Sequence, residues 1–492
     1  MNNDSQIILT ADRTLMSNYH TKEFLGFATS APPNVIPDEQ FKWLFFPNIK
    51  NKKGIPYQTP YGLRKIEAKL INKGFKVLTV DPDHLKNYIE NAKVLGISVM
   101  DPFGWGPSST TFAKIMRTGD PFVAKYFRKL LEKPEVIDSK RNGLKIIVGG
   151  PGAWQFKYKP EFLEKYGIDC VINGEGEKIV PDIFSKALNG DELPQFVDVD
   201  IHQSPTLEEI PEIMNPSING LIEIGRGCPR SCKFCSVTLR PIRWYPYEKI
   251  EKELKVNANF GLKHDILHAE DVLLYGSRTA IPEREKVLKL FELAKKYHNT
   301  VDLSHTSLAA IAADPKLIKS GSEILLQDQE WIGVQIGIET GSPDLIKKVM
   351  HAKAYPFEAE EWRDVVINAF GLMHDYNIVP ACTLVTGLPD ETEEDTLKTI
   401  ELIDDLKQYR SLIVPLFFVP LGKLKDENWF EVEQVTELQK ELLIRCLKHG
   451  LYWSRDIVKQ YNRGAWYAPF MSYGLNMFIN KIEKYAKEKN IL

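Results

Sequence analysis

The stretch LIEIGRGCPRSCKFC, residues 221–235, decides how this chain is read. Its first four residues, apolar but for Glu223, are of strand length, and a glycine-containing turn follows at once. That turn carries three cysteines, Cys228, Cys232 and Cys235, spaced C-x3-C-x2-C. Thiolates are the usual protein ligands of iron–sulfur clusters, and a [4Fe–4S] cube normally takes four of them. Three in one tight loop wrap a corner of the cube and leave the fourth iron open. A structural zinc site would want four ligands in paired spacings, and no second Cys or His pair stands nearby. An electron-carrying ferredoxin would show a fourth cysteine in the run. The expectation is an open cluster at the end of a strand.

Working outward, apolar strand-length segments recur at 221–224, 265–269, 301–304, 333–338, 379–385 and 412–419, with helical patterns between them. Six such units predict a parallel, partial (β/α)6 barrel over residues 215–422, with its chemistry at the C-terminal strand ends. Residues 1–205 repeat the alternation. A strand-like segment at 24–28 leads to Pro32 and Pro33, and a helix over 61–73 stops at Gly74. Strands are expected at 76–80, 94–100, 144–148 and 169–172, and helices at 123–131, 160–166 and 178–188. This is a flavodoxin-like, Rossmann-type α/β sheet whose ligand site should lie at the C-terminal strand ends. A Pro- and acid-rich linker, 191–216, separates the two regions. The final region, 423–492, loses the strands. It is helical over 432–448 and ends aromatic-rich, with Trp453, Trp466, Tyr467 and Tyr473.

Two glycine-rich loops close strands of the first region. Gly149, Gly150, Pro151 and Gly152 follow one, and Gly174, Glu175, Gly176 and Glu177 follow another. Glycine lets a backbone approach a bulky ligand, although both loops also read as plain turns. Glu177 suits the first turn of the helix behind it.

Composition bounds the rest. The chain has 492 residues and a formal net charge of −3, so no global field favours nucleic acid or an anionic membrane. No apolar run reaches the ~20 residues of a membrane helix, and the N-terminus lacks the layout of a secretion signal. A cytoplasmic protein without nucleic-acid or membrane partners is expected. Cys170, Cys382 and Cys446 stand alone and read as buried small hydrophobes.

The cysteine spacing is the signature of the radical S-adenosylmethionine (SAM) superfamily, and other segments resemble that family in register with it. Ile338-Glu339-Thr340-Gly341-Ser342 resembles the segment that contacts the SAM ribose. Glu270 and Asp271 sit where the family places groups for the SAM amine, although His268-Ala269-Glu270-Asp271 departs from the common Gly-Gly-Glu form. Phe234 is at the position that usually flanks the adenine, and 386–392, Thr-Gly-Leu-Pro-Asp-Glu-Thr, resembles the loop after the fifth strand. Each segment alone would pass as a helix cap or an ordinary turn. The resemblance implies that SAM binds the open iron and is cleaved there to a 5′-deoxyadenosyl radical. Asp271, His305 and Gln335 are candidate polar groups at the barrel mouth, and no acid–base catalytic dyad is expected.

The order of the first region's motifs, from Tyr61-Gly62-Leu63 through Ser98 to the two glycine loops and then the cluster, resembles the cobalamin-binding domain of cobalamin-dependent radical SAM methyltransferases. That resemblance implies cobalamin along Ser98, 149–152 and 174–177, with Asp101 and Trp105 facing the corrin. The Asp-x-His-x-x-Gly motif that supplies an axial histidine is absent, so cobalt without a histidine ligand is expected. The implied activity is methylation of an unactivated sp3 carbon, the alternative being cyclisation or oxidation of a small metabolite. Segments 9–16 and 24–33 resemble a methanogen group similar to the glutamine C-methyltransferase that modifies methyl-coenzyme M reductase. A protein or peptide substrate, a post-translational modification and an electron donor are therefore expected.

Overall fold

The computed structural model describes residues 5–33, 36–116, 119–461 and 468–488, so Trp466 and Tyr467 lie outside the described residues. Residues 1–222 with 252–262 form one compact unit, and 223–251 with 263–492 form the other. The C-terminal helices Glu437–Tyr461 and Ala468–Glu488 belong to the second unit.

In the first unit six parallel strands are β1 (Ile7–Ala11), β2 (Val77–Thr79), β3 (Val94–Ser98), β4 (Lys145–Gly149), β5 (Cys170–Asn173) and β6 (Phe196–Asp198). Their order is β2-β1-β3-β4-β5-β6, with the direction of winding reversing between β1 and β3. The period-two alternation of each strand sends side chains to both faces. Ile7, Leu9, Val94, Ile147 and Ile172 pack with Leu63, Leu70, Ile183 and Phe184, which come from helices Tyr61–Asn72 and Val180–Asn189. Ile8, Leu95, Ile97, Ile146 and Val148 pack on the other face with Phe127, Leu130 and Phe156. A parallel sheet covered on both faces is the doubly wound arrangement the sequence predicts.

Three readings need correction. The central strand β1 was not anticipated, because a five-residue run buried throughout has no polar alternation to mark it. Residues 24–28 are not a strand but part of a 3-10 helix, Glu23–Ser30, whose bonds are local, including Thr29 Oγ1 to the Gly26 carbonyl at 2.7 Å. The 191–216 segment is not all linker, since β6 pairs with β5 at the sheet edge.

In the second unit the strands are β7 (Ile222–Glu223), β8 (His264–His268), β9 (Thr300–Leu303), β10 (His305–Thr306), β11 (Ile332–Glu339), β12 (Ile378–Thr386) and β13 (Leu412–Phe417). They form two arcs, β9-β8-β7 and β10-β11-β12-β13, parted at Ser304. This is the expected partial barrel, each of its six predicted strands being present within a few residues. Along β11 and β12 burial alternates: Ile332, Val334, Ile336, Cys382 and Leu384 are buried, whereas Gly333, Gln335, Gly337, Ala381, Thr383 and Val385 are half-buried. The first set faces the surrounding helices and the second the barrel interior. Cys170, Cys382 and Cys446 are all buried, as expected of small apolar residues. No helix among the described residues is long and apolar enough to cross a membrane.

Phe184 is 2% exposed in the first unit's core. Its replacement by Ala is expected to destabilise the protein by about 3–5 kcal/mol, read as a lowered urea midpoint at unchanged slope.

Candidate radical SAM site

The chain leaves β7 through a short antiparallel ribbon, Gly225–Arg226 paired with Arg243–Trp244. Gly227 then turns with φ +85°, and a Cβ there would stand 2.7 Å from the Pro241 carbonyl oxygen, so the turn needs glycine. Cys228, Cys232 and Cys235 follow on a loop fixed by main-chain bonds. Lys233 N–H donates to the Val349 carbonyl at 2.8 Å, and Lys423 N–H to the Lys233 carbonyl at 2.7 Å. The Thr238 hydroxyl donates to the carbonyls of Cys235 (2.8 Å) and Cys232 (3.2 Å).

Burial pushes the thiol of Cys228 up to about 12 and that of Cys232 up to about 11, and it raises Cys235 as well. Thiols in such surroundings ionise when a metal takes the place of the lost water. Among the described residues no three His, Cys, Asp or Glu groups are placed to hold a single metal ion.

Arg230, inside the loop, clamps it to the barrel. Its guanidinium donates to the carbonyls of Ala352 and Lys353 (3.4 Å each) and of Tyr355, and to Ser307 Oγ at 2.7 Å. It also faces Asp271 at 3.6 Å. Asp271 accepts from Ser307 Oγ (2.5 Å) and Thr306 Oγ1 (3.0 Å). Burial raises the Asp271 carboxyl against the pull of Arg230 and these hydroxyls. Asp271 is thus engaged in supporting the loop. Its neighbour Glu270 is half-buried, makes no hydrogen bond or ion pair among the described residues, and acts electrostatically on Cys228 and Cys235. Phe234 is half-buried between the last two cysteines.

Glu339 ends β11 in a left-handed conformation, φ +66°, beside a register shift. The twist folds its carboxylate back over Gly337, where any Cβ would collide with it. Glu339 pairs with buried Lys353 at 3.2 Å and accepts from Thr383 Oγ1 at 3.3 Å. Burial alone would lower the Lys353 ammonium, and Glu339 and Cys232 together outweigh it, so it stands raised. Behind Glu339, the Thr340 carbonyl accepts from Trp362 Nε1 at 2.8 Å. Gly341 N–H donates to Thr399 Oγ1 at 2.9 Å, and a Cβ on Gly341 would meet the Lys398 carbonyl oxygen at 2.5 Å. Ser342 caps helix Pro343–Val349 and bonds Asp395. In the loop after β12, Glu391 accepts from Gly387 N–H, and burial lifts its carboxyl to about 7. His305 and Gln335 face each other in register across β10 and β11. Sequence reading missed Arg230 and Lys353 because their partners lie far along the chain.

In the first unit Ser98, Asp101, Trp105 and the glycine loops lie at or after the C-terminal ends of β3, β4 and β5. Asp101 organises its own loop, accepting from Trp105 N–H (2.7 Å), Gly106 N–H (3.0 Å) and Gln155 Nε2 (2.6 Å). Trp105 is half-buried against Phe103 and Tyr158. A Cβ on Gly150 would meet the Val99 carbonyl oxygen at 2.6 Å, on Gly152 that of Met100 at 2.4 Å, and on Gly174 that of Val199 at 2.7 Å. These glycines let adjacent strand-end loops close on one another, while Pro151 is exposed and Gly149 has room for a Cβ. Glu175 and Glu177 are buried at the start of the following helical segment. The Asp200-Ile201-His202 triplet precedes Gln203-Ser204-Pro205 rather than glycine, and Asp200 is spent capping its exposed turn.

Residues 222–403 match the sequence model of the Radical SAM superfamily. This stretch is similar to a radical SAM domain. With it go a [4Fe–4S] cluster and SAM as cofactors. A tRNA-2-methylthio-N(6)-dimethylallyladenosine synthase of Thermotoga petrophila is 24% identical over 64% of this chain and 73% of its own. A putative methylthiotransferase of Methanocaldococcus jannaschii is 26% identical over 54% of this chain and 59% of its own. Among solved structures, the radical SAM methyltransferase TsrM of Kitasatospora setae, with tryptophan and a SAM analogue bound, superposes with a TM-score of 0.54 at 14% identity, covering 83% of this chain and 73% of that one. A second TsrM structure, holding cobalamin and a [4Fe–4S] cluster, gives 0.53 at 15%, over 85% and 77%. At such identities the likeness is one of fold.

Replacing Cys228, Cys232 or Cys235 by Ala is expected to abolish the cluster's visible absorption after anaerobic reconstitution, whereas Cys170→Ala, Cys382→Ala and Cys446→Ala keep it. Arg230→Met strands the buried Asp271 at a cost of about 3–5 kcal/mol. Iron and sulfide assays are expected to find less cluster in that variant than in the parent.

Proposed function

We propose that this protein is a cobalamin-dependent radical SAM C-methyltransferase acting on an sp3 carbon of a protein or peptide. The observation that carries the reading is a three-cysteine cluster loop on a partial barrel in a chain whose other unit is a β2-β1-β3-β4-β5-β6 sheet. The fold shared with TsrM supports it.

When bound, the cluster and SAM supply a carbon-centred radical, and cobalamin supplies a methyl group that side chains cannot. The chain's own residues hold and orient them. Cys228, Cys232 and Cys235 would anchor the cluster, with Arg230 keeping their loop in place. Glu270 is the free carboxylate suited to the SAM amine. Glu339, Thr340, Gly341 and Ser342 form a rigid rim for the ribose, and Phe234 offers a ring to the adenine. Ser98, the 149–152 loop and the 174–177 loop would receive the corrinoid, with Trp105 as an apolar wall. Asp101 then acts by fixing Trp105. With no Asp-x-His-x-x-Gly motif in the chain, cobalt would lack a histidine ligand.

The methylthiotransferase relatives favour a second reading, transfer of sulfur together with methyl. A cluster that donates sulfur needs its own set of thiols. Before residue 222 the chain has one cysteine, Cys170, buried in the core of β5, which favours plain methyl transfer. For the substrate we propose a glutamine Cα, as in methyl-coenzyme M reductase, on the resemblance of segments 9–16 and 24–33.

The test is anaerobic reconstitution with iron, sulfide and cobalamin, followed by reductant, methyl-deuterated SAM and a glutamine-containing reductase peptide, read by LC–MS. A peptide heavier by one deuterated methyl, alongside 5′-deoxyadenosine, is expected. A methylthio adduct would support the second reading. Deoxyadenosine with an unchanged peptide would reject the substrate.

A further inference from the structure

The barrel interior of the second unit contains polar atoms that neither the cluster loop nor the SAM-rim residues use. His268 ends β8 and His305 opens β10, with ring centroids 5.9 Å apart at an interplanar angle of 70°. The Nδ1 atoms of both rings are buried and have no hydrogen-bond partner among the described residues. Native proteins rarely leave such atoms unmatched unless a ligand or water completes them. Both residues are nevertheless only half-buried, so their rings border open space.

Gln335 stands in register with His305 on the neighbouring strand and is half-buried; its main-chain N–H donates to the Ser304 carbonyl at 2.9 Å, and its side chain makes no hydrogen bond among the described residues. The residues around it on the strands are small, with the Glu339 carboxylate and the Lys353 ammonium lying over Gly337. Gly333 and Gly337 flank it on the same face of β11, and Ala381 is its register partner on β12. Small residues thus stand beside His305 and Gln335, with the Glu339–Lys353 pair at the Gly337 end.

The charges nearby are already committed. Arg226 pairs with Glu223 at 2.9 Å, and Tyr245 donates to the same carboxylate at 2.6 Å. Arg230 faces Asp271, and Lys353 pairs with Glu339. Burial lowers both imidazoles, His305 to about 4, with His305 further disfavouring a charge on His268. Near neutral pH each ring therefore offers one donor and one acceptor and no charge. Among the described residues named above, a carboxylate or phosphate would find no uncommitted cation, and an ammonium group no uncommitted carboxylate but Glu270.

We infer that His268, His305 and Gln335 form an uncharged hydrogen-bonding cradle in the barrel interior that takes a carboxamide or peptide group of the substrate. An amide presents N–H and C=O together, which is what two neutral imidazoles and a glutamine amide can match. The inference rests on the proposed action on a protein or peptide and narrows it to an uncharged polar group. The three residues are binding residues and carry no step of the reaction.

The test reads binding rather than turnover, so it stands whether or not methyl transfer is observed. Full-length reconstituted protein, labelled with nitrogen-15 in its histidine rings, is titrated with N-acetylglutaminamide, N-acetylalaninamide, N-acetylglutamate and inorganic phosphate. His268→Asn and His305→Gln assign the resonances. The two amides are expected to shift His268 and His305, and phosphate and N-acetylglutamate to shift them at least tenfold more weakly. A stronger response to the glutamine compound than to the alanine one assigns the cradle to a side-chain carboxamide, and equal responses assign it to the peptide group. Gln335→Leu is expected to weaken the amide about tenfold, with the SAM-induced change in the cluster's EPR spectrum retained. Amides that shift neither ring, or phosphate and glutamate that bind as well, would overturn the proposal. So would a Gln335→Leu variant that loses SAM binding and keeps amide binding.

Discussion

The guanidinium of Arg230 is the fixed point around which the second unit's chemistry is built. It lies within the cluster loop, yet its partners are the carbonyls of 352, 353 and 355, Ser307 and Asp271, contributed by three other segments of the barrel. A loop of eight residues with three cysteines has little apolar surface of its own to bury, so it cannot hold its shape by packing. One planar cation supplies the rigidity instead, because the two terminal nitrogens of its fork satisfy several carbonyls and a hydroxyl at once. Asp271 neutralises that charge in a site where an unpaired cation would be costly.

A second constraint is the parallel strand. In the six-stranded sheet of the first unit, and along β10-β11-β12-β13 and β8-β9 of the second, neighbouring strands run the same way, so the loops that follow them gather at one edge. The cluster loop after β7, Glu270 after β8, the Glu339 bulge on β11 and the 386–392 loop after β12 are brought together by direction alone. The first unit obeys the same rule with different side chains. Its strand-end loops are packed so closely, backbone on backbone, that Gly150, Gly152 and Gly174 can carry no side chain.

Much of this was legible from residue order. The six barrel strands and most of the first sheet show as apolar runs, and the cysteines declare themselves by spacing. What stayed hidden has physical causes. β1 is buried on both faces and carries no alternation, and β6 is a three-residue edge strand inside a polar stretch. The engagement of Asp101 with its own loop depends on Gln155, and that of Asp271 on Ser307, contacts across many residues that no local pattern records. The bend at Glu339 is a matter of backbone angle, and a sequence shows only its identity. Glycine loops read as ligand cradles also turn out to have an internal packing reason, which spacing alone could not separate from the first.

The central claim is that three cysteines leave one iron of the cluster open to SAM. The most direct measurement is electron–nuclear double resonance on the reduced cluster with SAM labelled with nitrogen-15 at its methionyl amine. A nitrogen-15 coupling of the size of a direct iron–nitrogen bond is the expected result. A spectrum unchanged by labelled SAM, from protein with its cluster intact, would mean the fourth iron is closed and would contradict the account.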